Sequence, residues 1–206
     1  MTAQSAAPRV FLYVQHLLGI GHLVRASRIA DALADDDFEM TVVTGGTPVA
    51  GFPSLKVSHV VLPTIVAGDA GFSGLNDGEG NPVDEAFKDR RRDLLLEAYA
   101  RCRPDIVIIE AFPFGRRQVR FELLPLLEAI RATDPRPRVV CSLRDILQER
   151  TKPGRDAESV ALVRQYFDLV LVHGDPGFVR LEETFPLADQ IQDRIAYTGL
   201  VASPLD

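Results

Sequence analysis

The stretch Val10-Phe-Leu-Tyr-Val14-Gln-His16-Leu-Leu-Gly19-Ile-Gly21-His22-Leu-Val-Arg25-Ala26 decides how this chain folds. Val10 to Val14 is an unbroken apolar run, the pattern of a strand covered on both faces. Gly19 and Gly21 allow a tight turn and a close approach of backbone to ligand. Ala26, Ile29, Ala30 and Leu33 then recur at helical spacing. A strand, a glycine loop and a helix follow one another, with His22 where the helix opens. In an open parallel sheet, the carboxyl edge of the strands is where ligands bind. A histidine there can act as a base, because its unperturbed pKa lies near neutrality. The competing reading makes His22 a helix N-cap or a polar loop residue.

The same alternation continues along the chain. Strands are predicted at Phe38 to Thr44, Val57 to Leu62, Ile106 to Ile109, Val139 to Leu143, Leu169 to Val172 and Arg194 to Tyr197. Helices are predicted at Val83 to Arg103, Arg117 to Ala132, Ala157 to Phe167 and Pro176 to Phe185. Pro125 should kink the second of these or mark a later start. Residues 63–82 are rich in Gly, Asp and Asn and longer than most connections inside a compact domain, so they read as a functional or mobile loop. About seven strands with helices between them make an α/β, Rossmann-like, doubly wound and mostly parallel sheet, with right-handed crossovers placing helices on both faces. The expected organisation is a loose tail over 1–8, one domain over 9–199, and over 200–206 the start of a connector to something further.

Composition narrows the function. The 206 residues are 46% hydrophobic and 25% charged, which excludes global disorder. A net charge of -6 argues against general nucleic-acid binding. Cys102 and Cys141 stand apart, without the spacing of a metal or redox motif, so a reduced cytosolic compartment is the simplest expectation and no metal is expected. No apolar run is long enough to span a bilayer, and the N-terminus lacks a secretion signal.

Several polar residues fall just beyond strand ends and, in a parallel sheet, share one rim: His22, Glu110, Arg144, Asp145, His173 and Asp175. Glu110 beside His22 would raise its basicity and fix its tautomer; alternatively it caps the next turn. Arg116 and Arg117 can grip phosphate bidentately or stand as solvated charges. Asp145 and Asp175 suit helix N-caps. Ser142 follows the same strand as Arg144. Arg90-Arg91-Arg92, set among Asp89 and Asp93, reads as a solvated helix face. His59 reads as structural, and His16 as lining the glycine loop. A dinucleotide site is disfavoured: Val24 stands where a third glycine would, and Thr44-Gly45-Gly46 replaces the ribose-binding acid. No P-loop is present.

The strand, Gly21-His22, the helix with Arg25 and Arg28, and Thr41-Val-Val-Thr-Gly-Gly46 resemble the opening of the lipid-linked N-acetylglucosaminyltransferase of peptidoglycan synthesis and its bacterial relatives. Glu110-Ala-Phe-Pro-Phe-Gly-Arg-Arg117, Ser142-Leu-Arg-Asp-Ile-Leu147 and Val172-His-Gly-Asp-Pro176 resemble a group of predicted bacterial glycosyltransferases. The whole chain is thus similar to the N-terminal, acceptor-side half of a GT-B-fold enzyme.

That resemblance implies an inverting hexosyltransferase with His22 as general base and Glu110 as its acidic partner, a place more often held by aspartate in related enzymes. It implies a nucleotide-sugar donor as co-substrate, bound mainly by a C-terminal domain beyond Tyr197-Thr-Gly199, and no further cofactor. Gly19, Gly21, Arg116, Arg144, Asp145, His173 and Asp175 become substrate-binding expectations. The peptidoglycan enzyme has more glycine in its loop, where this chain has Leu17, Leu18 and Ile20. The acceptor is a small molecule or a lipid-linked one; Phe72 and Leu75 are the candidates for a membrane-facing patch on a cytoplasmic protein at the inner membrane face. Two alternatives remain: a non-catalytic sugar- or nucleotide-binding module, and half of a nucleotide-sugar epimerase, whose first loop should be rich in carboxylates and arginines.

Overall fold

A computed structural model describes residues 6–17, 19–68, 74–148 and 153–202. Its centre is a seven-stranded sheet. In chain order the elements begin with β1 (Arg9–Val14), α1 (Gly21–Asp35), β2 (Glu39–Thr44) and β3 (Ser58–Val61). Next come β4 (Ile65–Ala67), β5 (Leu75–Asp77), α2 (Glu85–Cys102) and β6 (Ile106–Glu110). The remainder is α3 (Arg120–Arg131), β7 (Arg138–Arg144), α4 (Arg155–Tyr166), β8 (Leu169–His173) and β9 (Ile195–Tyr197). The large sheet runs β3-β2-β1-β6-β7-β8-β9, and every pairing in it is parallel.

The apolar runs explain the layering. Alternate residues of β1 serve two cores. Val10, Leu12 and Val14 pack with Leu23, Ala26 and Ala30 of α1, joined by Met40, Val42, Ile108 and Val140. Phe11 and Tyr13 face the opposite layer, where α2, α3 and α4 contribute Leu95, Tyr99, Leu123, Leu127, Val160 and Val163. Helices therefore cover both faces, as the continuous apolar strands require.

The chain moves outward from β1 to β3 on one side, then returns to place β6 against β1 on the other. The strand order reverses between β1 and β6, so their carboxyl ends diverge and leave a crevice. The glycine loop follows β1, and Glu110 ends β6 at the same edge.

Several expectations are corrected. The span Pro176 to Phe185 is not an α-helix: Asp175 Oδ1 accepts the Gly177 amide at 2.8 Å, closing a local turn, and only short 3-10 turns follow at Leu181–Glu183 and Ala188–Arg194. A short segment bounded by prolines with such a competing side-chain bond has little to gain from a helix. Asp145 and Asp175 accordingly head no α-helix. Pro125 neither delays the start of α3 nor divides it; the helix begins at Arg120, after a 3-10 turn at Arg117–Val119, and carries Pro125 inside.

The long segment before α2 is partly structured. Its β4 and β5 pair antiparallel, Ile65 against Asp77, and Asp77 Oδ1 takes the amides of Glu79 at 2.9 Å and Asn81 at 2.8 Å. Leu75 lies half-buried against the larger core rather than on an apolar surface patch; Phe72 is outside the described residues. The first five residues of the expected tail and the last four of the connector are also outside them. Within the described ends, Pro8 O accepts the Glu39 amide at 3.0 Å, and Arg28 Nη1 donates to Val201 O at 3.3 Å.

The largest correction concerns Arg91, which is fully buried. Its Nε and Nη2 donate to the two carboxylate oxygens of Glu122, at 2.6 and 3.0 Å, and Nη2 also reaches Gln15 Oε1 at 2.6 Å. Nη1 donates to the carbonyls of Gly45, at 3.0 Å, and of Pro63. Tyr13 donates its hydroxyl to Glu122; burial above all, and then the charge of Glu122, pushes the phenol's pKa well up, so it keeps that proton. A side chain at Gly45 would collide with the Arg91 guanidinium, and one at Gly46 with His16. The glycine pair after β2 thus makes room for two buried side chains. Arg90 and Arg92 do remain outward, Arg92 pairing with Asp89 at 2.7 Å and Asp93 at 2.9 Å.

Candidate functional site

Glu110 is the last residue of β6 and is 1% exposed. The next residue, Ala111, takes a left-handed conformation at φ 65°, unusual for a residue with a side chain. That turn sends Pro113 to Gln118 outward as one wall of a cleft. The opposite wall is the start of α1. Ile20 caps α1 without a side-chain bond, and His22 is its second residue. His22 is therefore not an N-cap.

His22 Nδ1 lies 3.0 Å from Glu110 Oε1. Arg25, one turn along α1, donates to the same oxygen. Ser142, at the carboxyl end of β7, donates its hydroxyl to Glu110 Oε2. Burial works to raise the Glu110 pKa, but the hydrogen bond from His22, the charge of Arg25 and the Ser142 hydroxyl outweigh it and hold the carboxyl below its ordinary value. The carboxylate is ionised and accepts from all three. His22 then carries its proton on Nδ1, leaving Nε2 as the basic nitrogen. Arg25 balances the charge of Glu110, so the main service of the carboxylate to His22 is orientation.

A second chain of bonds runs behind Glu110. Ser142 Oγ is 2.9 Å from His173 Nε2, and His173 Nδ1 is 2.8 Å from Thr198 Oγ1. The single hydroxyl proton of Ser142 is already given to Glu110, so His173 must donate from Nε2. Burial, opposed by Glu110 and reinforced by Arg25, pushes the His173 pKa down to about 4. The neutral ring then has Nδ1 as an acceptor facing the Thr198 hydroxyl, whose one proton is shared between this nitrogen and Gly199 O at 3.1 Å. His173 thus supports the carboxylate from beneath.

The cleft has a volume of about 860 Å³. Gly19, Gly21, His22, Arg116, Arg117 and Arg144 line it, as do Arg25, Gln118, Gln148 and Arg155. The rim predicted from the sequence is real, but it divides. His22 and Arg144 reach the cleft, Glu110 lies under it, and Asp145, His173 and Asp175 do not line it. Asp145 instead takes the Ile146 amide at 2.8 Å. Arg116 is half-buried, with Nε donating to Gln15 O at 2.7 Å, and Arg117 pairs with Glu158. His16 is buried, and His59 is 2.8 Å from Thr44 Oγ1.

Sequence reasoning named Arg25 and Ser142 without placing them in the site, and left out Arg155. Arg25 could have been placed, since it sits one helical turn after His22. Ser142 lies in register with Glu110 across the β6–β7 pairing, which only the sheet order reveals.

The fold has clear counterparts among solved structures. The calicheamicin glycosyltransferase CalG4 matches over 94% of this chain and 53% of its own, at 16% identity and a TM-score of 0.52. MurG from Acinetobacter baumannii matches over 82% and 42%, at 12% identity and a TM-score of 0.50. The fold is that of a GT-B N-terminal half. A UDP-N-acetylglucosamine 2-epimerase from Rickettsia bellii shares it, over 95% and 45%, at 8% identity and a TM-score of 0.57. The chain spans about half the length of these proteins. No family model matches the sequence, and no curated protein does. Among the described residues no helix is long and apolar enough to cross a membrane.

Proposed function

We propose that this chain is the acceptor-side half of an inverting glycosyltransferase that moves a hexosyl group from a nucleotide-sugar to an acceptor hydroxyl. The observation that carries the reading is the His22–Glu110 pair, 3.0 Å apart, at the sheet's switch point and beside a large open cleft. A base at such an edge, locked in one tautomer, fits proton abstraction from a hydroxyl.

In the step, the acceptor oxygen attacks the anomeric carbon and its proton passes to His22 Nε2. The bond from that carbon to the nucleoside diphosphate breaks, and the diphosphate leaves with the electron pair. Glu110 stabilises the ring once it is cationic. The donor is held mainly by a C-terminal domain facing this rim, a division supported by solved neighbours about twice as long. Open amides at the start of α1 ease charge on the leaving group. The free thiols Cys102 and Cys141 suit a reducing cytoplasm.

The shared fold alone does not separate transferase from epimerase. The first loop does favour the transferase, for Gln15, His16, Leu17, Gly19 and Ile20 supply neither carboxylate nor arginine. The test is His22→Ala in the complete protein, with donor turnover followed against acceptor binding. Turnover should fall by about 10²–10⁴-fold while the acceptor still binds. Unchanged turnover would remove His22 as the base. Epimerised nucleotide-sugar formed without acceptor would replace the reading with the epimerase one.

A further inference from the structure

The charge of the cleft is opposite to that of the chain. Arg25, Arg116, Arg117, Arg144 and Arg155 line it, and no aspartate or glutamate does among the described residues. The whole chain carries -6. Two of these arginines are neutralised within the protein, Arg25 by Glu110 and Arg117 by Glu158.

The other three are not. Arg116 spends Nε on a carbonyl, which leaves its terminal nitrogens available. Its pKa is lowered by burial first, and Arg144 and Arg25 repel it further, against the pull of Glu110. Arg144 and Arg155 have no carboxylate partner among the described residues. The amino end of α1 opens on the same space, with no side-chain cap and no acid in its first turn. Nothing would obstruct a group at Gly21. Guanidinium groups crowded in a partly enclosed cleft repel one another until an anion joins them, and their planar forks match the oxygens of phosphate and carboxylate.

We infer that the acceptor is itself an anion, and that its phosphate, diphosphate or paired carboxylate group is held by Arg116, Arg144 and Arg155. This rests on the transferase reading above. The hydroxyl of the same molecule meets His22 in the shared cleft, and Phe114, Leu143 and Leu147 provide an apolar wall for its uncharged part.

The test has a binding arm and a kinetic arm. Inorganic pyrophosphate is titrated calorimetrically into the full chain at low and at physiological salt. Binding is expected at low salt and should weaken as salt rises. The double variant Arg144→Ala/Arg155→Ala should bind at least about tenfold more weakly, a loss suited to charged hydrogen bonds. Arg101→Ala, on the exposed side of α2, should change nothing. Absent binding, or binding indifferent to the double variant, overturns the inference.

The kinetic arm, on the complete protein, distinguishes the acceptor from the donor diphosphate. The double variant should raise KM for an anionic acceptor and leave the donor KM unchanged. A raised donor KM instead would assign the arginines to the donor and overturn the inference. Preference for neutral acceptors, with turnover still lost in His22→Ala, would overturn it and leave the transferase standing. Arginine-dependent pyrophosphate binding in a complete protein without turnover would overturn the transferase reading and keep the anion site.

Discussion

Two buried glutamates in this protein have nearly the same partners and different surroundings. Glu122 takes an arginine, Arg91, and a hydroxyl, that of Tyr13. Glu110 takes an arginine, Arg25, and a hydroxyl, that of Ser142. The first cluster is closed: Arg91 and Glu122 are both 0% exposed, and the remaining donors of Arg91 end on Gln15 and two carbonyls. The second is open. Arg25 is 17% exposed, and the last partner of Glu110 is His22, 26% exposed at the cleft. An ion pair sealed on every side can only hold structure. One that shares its carboxylate with an accessible histidine can take part in chemistry.

The sharpest way to break this contrast is to remove one arginine from each cluster. Arg91→Ala leaves Glu122 ionised in a dry core and should cost about 3–5 kcal/mol. It should also loosen α2 from α3 and from the carbonyls of Gly45 and Pro63. Arg25→Ala leaves Glu110 with His22 and Ser142, beside a cleft that admits water, so roughly 1–2 kcal/mol is expected. Urea denaturation of both variants measures the difference. Equal losses would mean that the two clusters are equally enclosed.

Acid probes the open cluster from below. His173 has a folded pKa of about 4 against an ordinary 6.5. As pH falls through 6.5 the unfolded chain takes up a proton that the folded chain refuses until about pH 4. Its contribution to stability is therefore full above pH 6.5 and is lost between 6.5 and 4, on the order of 3 kcal/mol. Buried His16 and the more exposed His59 are also lowered, by desolvation, and act in the same direction. His173→Asn should thus make the acid slope shallower without abolishing it. Denaturation midpoints at several pH values between 7 and 4.5 would reveal this. An identical slope in the variant would show that His173 is protonated in the folded protein after all.

The parallel sheet was legible because apolar runs and helical periods recur in turn along most of the chain, and the rim followed from it. Which rim residues meet was not legible. Glu110, Ser142 and His173 come together through the β6–β7 and β7–β8 pairings, whose order no local pattern encodes. The supposed helix after β8 failed because Leu181 and Phe185 gave an apolar spacing that Asp175, Pro176 and Gly177 could turn into something else.

The arginine triplet Arg90-Arg91-Arg92 was misread although its signal was present. Arg91 lies four residues before Leu95 and eight before Tyr99, on the buried stripe of α2. Glu122 lies four before Leu126, on the buried stripe of α3. Opposite charges on two inward faces can satisfy each other, while a lone inward charge cannot. Periodicity therefore outranks local charge density in deciding which arginine turns inward. The neighbour supplies the control. Arg92 is partly exposed at the surface, with the solvent-facing Asp89 and Asp93 beside it, and water replaces either partner at little cost. Arg92→Ala should leave the urea midpoint where it was, in the same measurement that shows Arg91→Ala far below it. If the two variants fell together, the triplet would be acting as one charged face and the helical stripe would not be what selects Arg91.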